Sequence, residues 1–211
     1  MKKVLLTMIA VTGIALVTNA QTFGFKKGDV LLEGALSVNS SDNKNNETKQ
    51  SSFALSPKAG YFISDKAAVG VRLTYSESKS TAYSGTNDNY DKTNSIGAGI
   101  FGRYYFLEVG SRFKVYGEAD LGYASAGGES SNGTTTVKDD KTNSFGINSS
   151  VGANFFLTEK IAIGYQFANI IGYNSSKVDV SGAKASNNFY VNLNSFGNFF
   201  NAGQFSLTFK L

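Results

Sequence analysis

From Gly28 onward the chain alternates apolar and polar residues in stretches of about ten positions, separated by turn-forming or polar segments. In the first stretch, Gly28 to Asn39, Val30, Leu32, Leu36 and Val38 share one face and Glu33 and Ser37 the other. The last does the same with Phe205, Leu207, Phe209 and Leu211. Side chains of a strand point to opposite faces at every step, so this period predicts strands whose two faces meet different surroundings. Strands of this length with one apolar wall fit a closed cylinder with hydrocarbon outside and a polar lumen.

Further strands are predicted around Phe53, Leu55, Ala59, Tyr61 and Ile63; Val69, Val71, Leu73 and Tyr75; and Ile96, Ala98, Ile100, Tyr104 and Phe106. The pattern continues through Phe113, Val115, Ala119, Leu121 and Tyr123; Phe145, Ile147, Val151, Ala153 and Phe155; Ile161, Ile163, Tyr165 and Phe167; and Asn201 to Leu211. Long polar segments alternate with short ones. Ser40–Gln50, Ser76–Lys92, Ser125–Lys141 and Tyr173–Asn188 are expected as long loops. Ser64-Asp65-Lys66, Glu108 to Arg112 and Thr158-Glu159-Lys160 are expected as tight turns. Barrels of the bacterial outer membrane sort their connections this way, with long loops on one side and short turns on the other. The fold class predicted is all-β, a transmembrane up-and-down antiparallel barrel of about eight strands. Ten is the alternative count if Asn188–Asn194 (Phe189, Val191, Leu193) is a strand of its own rather than an extension of the last hairpin above the membrane. Pro57 has no N–H to give to a ladder, so a bulge is expected there.

The start of the chain reads as an export signal. Lys2 and Lys3 precede an apolar run from Val4 to Val17, and Thr18-Asn19-Ala20 offers a small-residue cleavage site before Gln21. The domain reading is a signal peptide at 1–20 and a barrel domain at 21–211, with both termini of the mature chain in the periplasm. The chain has no Cys, hence no disulfide, and the formal net charge of +4 drops by two when Lys2 and Lys3 leave. Such a balance gives no reason to expect nucleic acid as a partner. The chain also has no His. The usual base for a serine nucleophile and the commonest metal ligand are therefore missing, and no enzyme activity and no cofactor are expected.

Opposite the apolar wall, Glu33, Lys58, Arg72, Arg103, Lys114, Glu118 and Asp120, together with Asp29, form a charge-balanced set predicted to line the lumen. Charges in so narrow an interior lose water and must satisfy one another, and Arg72 or Arg103 is expected to meet Glu118 or Asp120. Inward glycines at 97, 99, 146, 152 and 164 leave room for Phe101, Tyr105, Tyr116 and Phe156. Tyr61, Tyr104, Phe106, Phe113 and Phe155, near the short turns, suit an aromatic girdle at the headgroup level.

Leu55-Ser56-Pro57-Lys58-Ala59-Gly60-Tyr61-Phe62, the turn Ser64-Asp65-Lys66 followed by Val69-Gly70, and Arg103-Tyr104-Tyr105-Phe106 resemble the outer-membrane β-barrel domain family of Gram-negative bacteria. The resemblance implies location in the outer membrane and insertion by the barrel-assembly machinery. It also implies contact with outer-membrane lipid and lipopolysaccharide, and an extracellular partner for the loops. Ser206 and Thr208 depart from the family's terminal pattern, and no peptidoglycan-binding domain is expected after the last strand. The function expected is envelope structure or surface interaction by a barrel with a packed lumen. A narrow porin-like channel or carrier for small molecules is the alternative.

Overall fold

The computed structural model describes residues 23–84, 87–167, 169–192 and 204–211. The predicted leader and the Ala20/Gln21 cleavage site lie outside them. Ten strand segments follow in order: β1 (Val30–Asn43), β2 (Thr48–Phe62), β3 (Ala67–Ser84), β4 (Asn87–Val109), β5 (Phe113–Ser131), β6 (Thr136–Phe156), β7 (Ile161–Gln166), β8 (Ile171–Val178), β9 (Ser186–Val191) and β10 (Gln204–Lys210). All pairings are antiparallel and each segment from β1 to β6 pairs with the next.

The ten segments make eight staves. The lower half of β6 pairs with β7 and its upper half with β8, so β7 and β8 form one stave with a kink. At that kink Phe167 N–H donates to Val151 O and Ile170 N–H to Ser149 O, between the Gly152↔Gln166 and Ser149↔Ile171 pairs. β9 pairs with β8 and β10 with β7, giving the eighth stave. β10 then pairs with β1 from Leu31↔Lys210 to Gly34↔Leu207, and the cylinder closes. Eight is thus the strand number, and closure satisfies backbone groups that hydrocarbon cannot. Asn188–Val191 belongs to β9, the upper part of the eighth stave; 193 and 194 fall outside the described residues.

Three of the four segments expected as long loops are largely strand. β1 runs on to Asn43 and β2 starts at Thr48; β3 and β4 extend to Ser84 and from Asn87; β5 and β6 meet across Asn132–Thr135. The fourth, Tyr173–Asn188, holds the end of β8 and the start of β9. Ser, Thr, Asn and Lys on both faces carry no hydrophobic alternation, yet above a membrane both faces are wet and the ladder continues. The hairpin tips are held by side chains. Asn43 Oδ1 accepts from the N–H groups of Asn45 and Asn46, and Asn132 Oδ1 from those of Thr134 and Thr135. At the opposite end, Ser64 Oγ accepts from Ala67 N–H and Thr158 Oγ1 from Ile161 N–H.

Pro57 causes no bulge. It pairs in register with Gly34 of β1, and only the pairs from Ser56 and Pro57 to β3 are missing, between Leu55↔Tyr75 and Lys58↔Arg72. The absent N–H costs two rungs and leaves the spacing intact. Register shifts occur instead between Tyr105 and Leu107 and between Ala126 and Gly128.

The outer wall is apolar, with Leu36, Val71, Leu73, Ile96, Ile100 and Ile147 exposed. The aromatics predicted for a girdle lie near the short turns, and a second ring near the long hairpins consists of Phe53, Tyr75, Tyr123, Phe145 and Tyr173, with Phe53 and Tyr75 rings 6.2 Å apart. Ten residues separate Phe113 from Tyr123 and Phe145 from Phe155. At about 3.3 Å per residue and a tilt of about 40°, that is about 25 Å of height, the apolar band such barrels present.

Candidate functional site

The lumen is the site, and its short-turn end is closed by packing. Phe25 stacks on Phe62 at 4.2 Å and meets Tyr105 and Phe156 at 5.4 and 5.3 Å. With Leu31, Phe101 and Tyr116 these rings form the buried core. The segment carrying Phe25 is tied down by Lys210 Nζ donating to Gly24 O and by Lys27 N–H donating to Asp65. Tyr116 lies against Gly152, where an added Cβ would collide with its ring. Gly152→Val is expected to destabilise the barrel by about 1–3 kcal/mol, because a packed interior has no slack for the extra methyls. Heat- or urea-induced unfolding followed on gels in detergent measures this.

Above the aromatic cluster the strands bring four of the predicted charges together. Arg103 on β4 is fully buried and donates Nη1 and Nη2 to both oxygens of Glu33 on β1, each at 2.9 Å. Its Nε reaches Glu118 on β5 at 2.7 Å, and its guanidinium lies 3.9 Å from the centre of the Tyr116 ring. Lys58 on β2 bonds Glu118 at 2.5 Å, stands 3.6 Å from Glu33 and donates to Gln166 on β7 at 3.0 Å. Two cations thus face two carboxylates, all four side chains buried, and charges so far removed from bulk solvent must satisfy one another. The planar guanidinium fork suits this place, since it bonds two carboxylates at once while its face stacks on a ring.

Neutral groups complete the network. Tyr105 O–H donates to Asn154 Oδ1 at 2.7 Å, Asn154 Nδ2 to Thr208 at 3.1 Å, and Thr208 O–H to Glu33 at 3.1 Å. Gln166 Nε2 donates to Ser150 at 2.8 Å. The cross-links therefore join β1, β2, β4, β5, β6, β7 and β10 across the bore.

The remaining predicted charges lie elsewhere. Arg72 on β3 pairs with Asp120 on β5 at 2.7 Å, one layer nearer the long hairpins and partly exposed. Arg72 lines a small recess of about 130 Å³ together with Thr74, Ala124, Ser144, Asn148 and Asn174. Lys114 is outside the cluster and bonds Glu108 at 2.6 Å near the rim. The register shift after Tyr105 accounts for this, because one extra residue flips the parity and puts Glu108 opposite Lys114. Asp29 is also at the rim, accepting from Lys26 N–H with Lys210 3.8 Å away.

Asn154, Thr208, Gln166 and Ser150 did not stand out in the sequence, being neutral and common. Ser206 and Thr208 depart from an apolar terminal pattern because they face the lumen side, where Thr208 serves Glu33.

A family model described as the outer membrane protein beta-barrel domain matches residues 5–209. Among solved structures, the chain is similar to the outer membrane protein OprG from Pseudomonas aeruginosa (16% identity, 89% of this chain and 98% of that one covered, TM-score 0.48). It is similar also to Neisserial surface protein A (19% identity, 87% and 96% covered, TM-score 0.36) and to Ail, the attachment invasion locus protein of Yersinia pestis (14% identity, 88% and 99% covered, TM-score 0.36). A comparison with curated proteins finds no match.

Proposed function

Given that the chain belongs to the outer membrane protein β-barrel domain family and is a barrel of the outer membrane, we propose that it is non-enzymatic and non-conducting, and acts through envelope structure and its long hairpins. The observation that carries this reading is Arg103, fully buried and bonded to Glu33 and Glu118 from strands on different sides of the bore. An ion crossing the lumen would have to part these bonds and then displace Phe25 from the rings below. A conducting pore needs a continuous wet path, and its charged rings favour one sign rather than cancelling.

In this reading the short turns and the chain termini face the periplasm and the hairpins face outward, as family architecture sorts long and short connections. The hairpins then offer hydroxyls, amides and lysines to an extracellular partner, and the barrel-assembly machinery inserts the chain. The recess beside Arg72 favours the competing reading, a narrow channel or carrier entered from the hairpin side. Planar bilayers separate the two. Folded protein is expected to give no steady conductance steps, and regular steps from protein of verified heat-modifiable mobility would reject the sealed lumen in favour of the channel.

A further inference from the structure

Gly99 lies four residues from Arg103 on β4, toward the hairpin end and on the same lumen-facing side. Four residues are about 13 Å of strand, or about 10 Å of height at a tilt of about 40°. At this level the ladder runs across five strands. Arg72 on β3 stands opposite Gly99, Gly99 opposite Gly122 on β5, Gly122 opposite Gly146 on β6, and Gly146 opposite Asn174 on β8. The glycines form a floor over which the flanking side chains lie. An added Cβ at Gly122 would stand 2.8 Å from Arg72 Nη2. One at Gly146 would stand 2.5 Å from Asn174 Oδ1 and 3.3 Å from Asn148 Nδ2. A guanidinium from one side and two amides from the other thus converge on a wall with no side chains of its own.

All three line the recess of about 130 Å³, which Thr74 and Ser144 complete from the next level on the hairpin side. The hydrogen-bonding capacity gathered there exceeds what the chain itself uses. Tyr190 O–H donates to Asn148 Oδ1 at 3.0 Å, which leaves Asn148 Nδ2 as a donor beside Asn174 Oδ1 as an acceptor. Arg72 gives Nη2 to Asp120, while its buried Nε meets no acceptor among the described residues. Asp120 stands opposite Asn148 in the ladder, so the guanidinium is balanced within the chain.

We propose that this recess binds the hydroxyl-bearing edge of a neutral sugar, which enters from the hairpin side and is held there. An amide donor beside an amide acceptor matches two adjacent hydroxyls, one accepting and the other donating. The guanidinium and the hydroxyls of Thr74 and Ser144 serve a third. Charge selects a neutral solute, because Asp120 already satisfies Arg72 and would repel an added carboxylate. Size agrees, since 130 Å³ is about the share of four water molecules in the liquid, room for one edge of a sugar ring. The proposal stands on the recess alone and holds whether or not the bore beneath conducts.

The test is saturation-transfer NMR on the folded full barrel in deuterated detergent micelles. The probes are glucose, galactose and mannose, with gluconate as their charged counterpart. At least one hexose is expected to give a saturable signal, and gluconate a weaker one. Asn174→Leu removes both amide groups at similar volume and should weaken hexose binding about tenfold. Ser144→Leu fills the recess and should abolish binding, and both variants should keep the heat-modifiable mobility of the parent. Silence from all three hexoses, tighter binding of gluconate, or an affinity unaltered in both variants overturns the proposal.

Discussion

Arg103→Ala is expected to destabilise the barrel by about 3–5 kcal/mol, the cost of leaving buried charge without its partner. Glu33 and Glu118 would be left to share Lys58, and Tyr116 would lose the guanidinium stacked on it. Unfolding in urea with the protein in detergent micelles, followed by tryptophan-free far-UV circular dichroism or gel mobility, measures the shift. Two further variants locate the cause. Arg103→Lys keeps the charge but loses the fork to both oxygens of Glu33, so it should recover part of the loss. Arg103→Met combined with Glu33→Gln should recover more than the single change to Met, because Lys58 and Glu118 are then left as a matched pair with no charge stranded. An Arg103→Ala barrel as stable as the parent would mean that the network does not brace the lumen.

Phe25→Ala is expected to cost about 3–5 kcal/mol, as for other buried phenylalanines, and to loosen the segment around it. The ring touches Phe62, Tyr105 and Phe156 at once, so no single neighbour can close over the space. Hydrogen exchange at residues 24–28 should speed up while the β1–β2 ladder stays protected. Combined with Arg103→Ala, the change removes both obstructions in series. The double variant should show conductance steps in planar bilayers where each single variant stays silent. Silence from a folded double variant would place the block elsewhere in the bore.

The sequence was most legible where one face of a strand is apolar. Val69, Val71, Leu73 and Tyr75, or Ile96, Ala98 and Ile100, can be read directly because hydrocarbon on one side and lumen on the other impose the alternation. It failed above the aromatic ring. Ser76–Lys92 reads as a loop because water on both faces removes the contrast that marks a strand, although backbone pairing continues from Ser76↔Ser95 to Ser84↔Asn87. In the lumen the charged residues were legible as a set, since Glu33, Lys58, Arg103 and Glu118 all oppose apolar neighbours. Their pairing was less so. Lys114 looked like a member until one inserted residue at Phe106 reset the parity and gave it Glu108. Phe25 was not legible at all, because it precedes the first alternating stretch and its role depends on rings brought from β2, β4 and β6.

The hairpins rise well clear of the aromatic ring, as β4 begins at Asn87, nine residues beyond Ile96. They are ladder-paired nearly to their tips, so each behaves as a stiff mast rather than a tether. A mast transmits little of what happens at its summit to its foot. Residues 44–47 and 132–135 can therefore diversify or accept grafted peptides while the bore beneath folds unchanged.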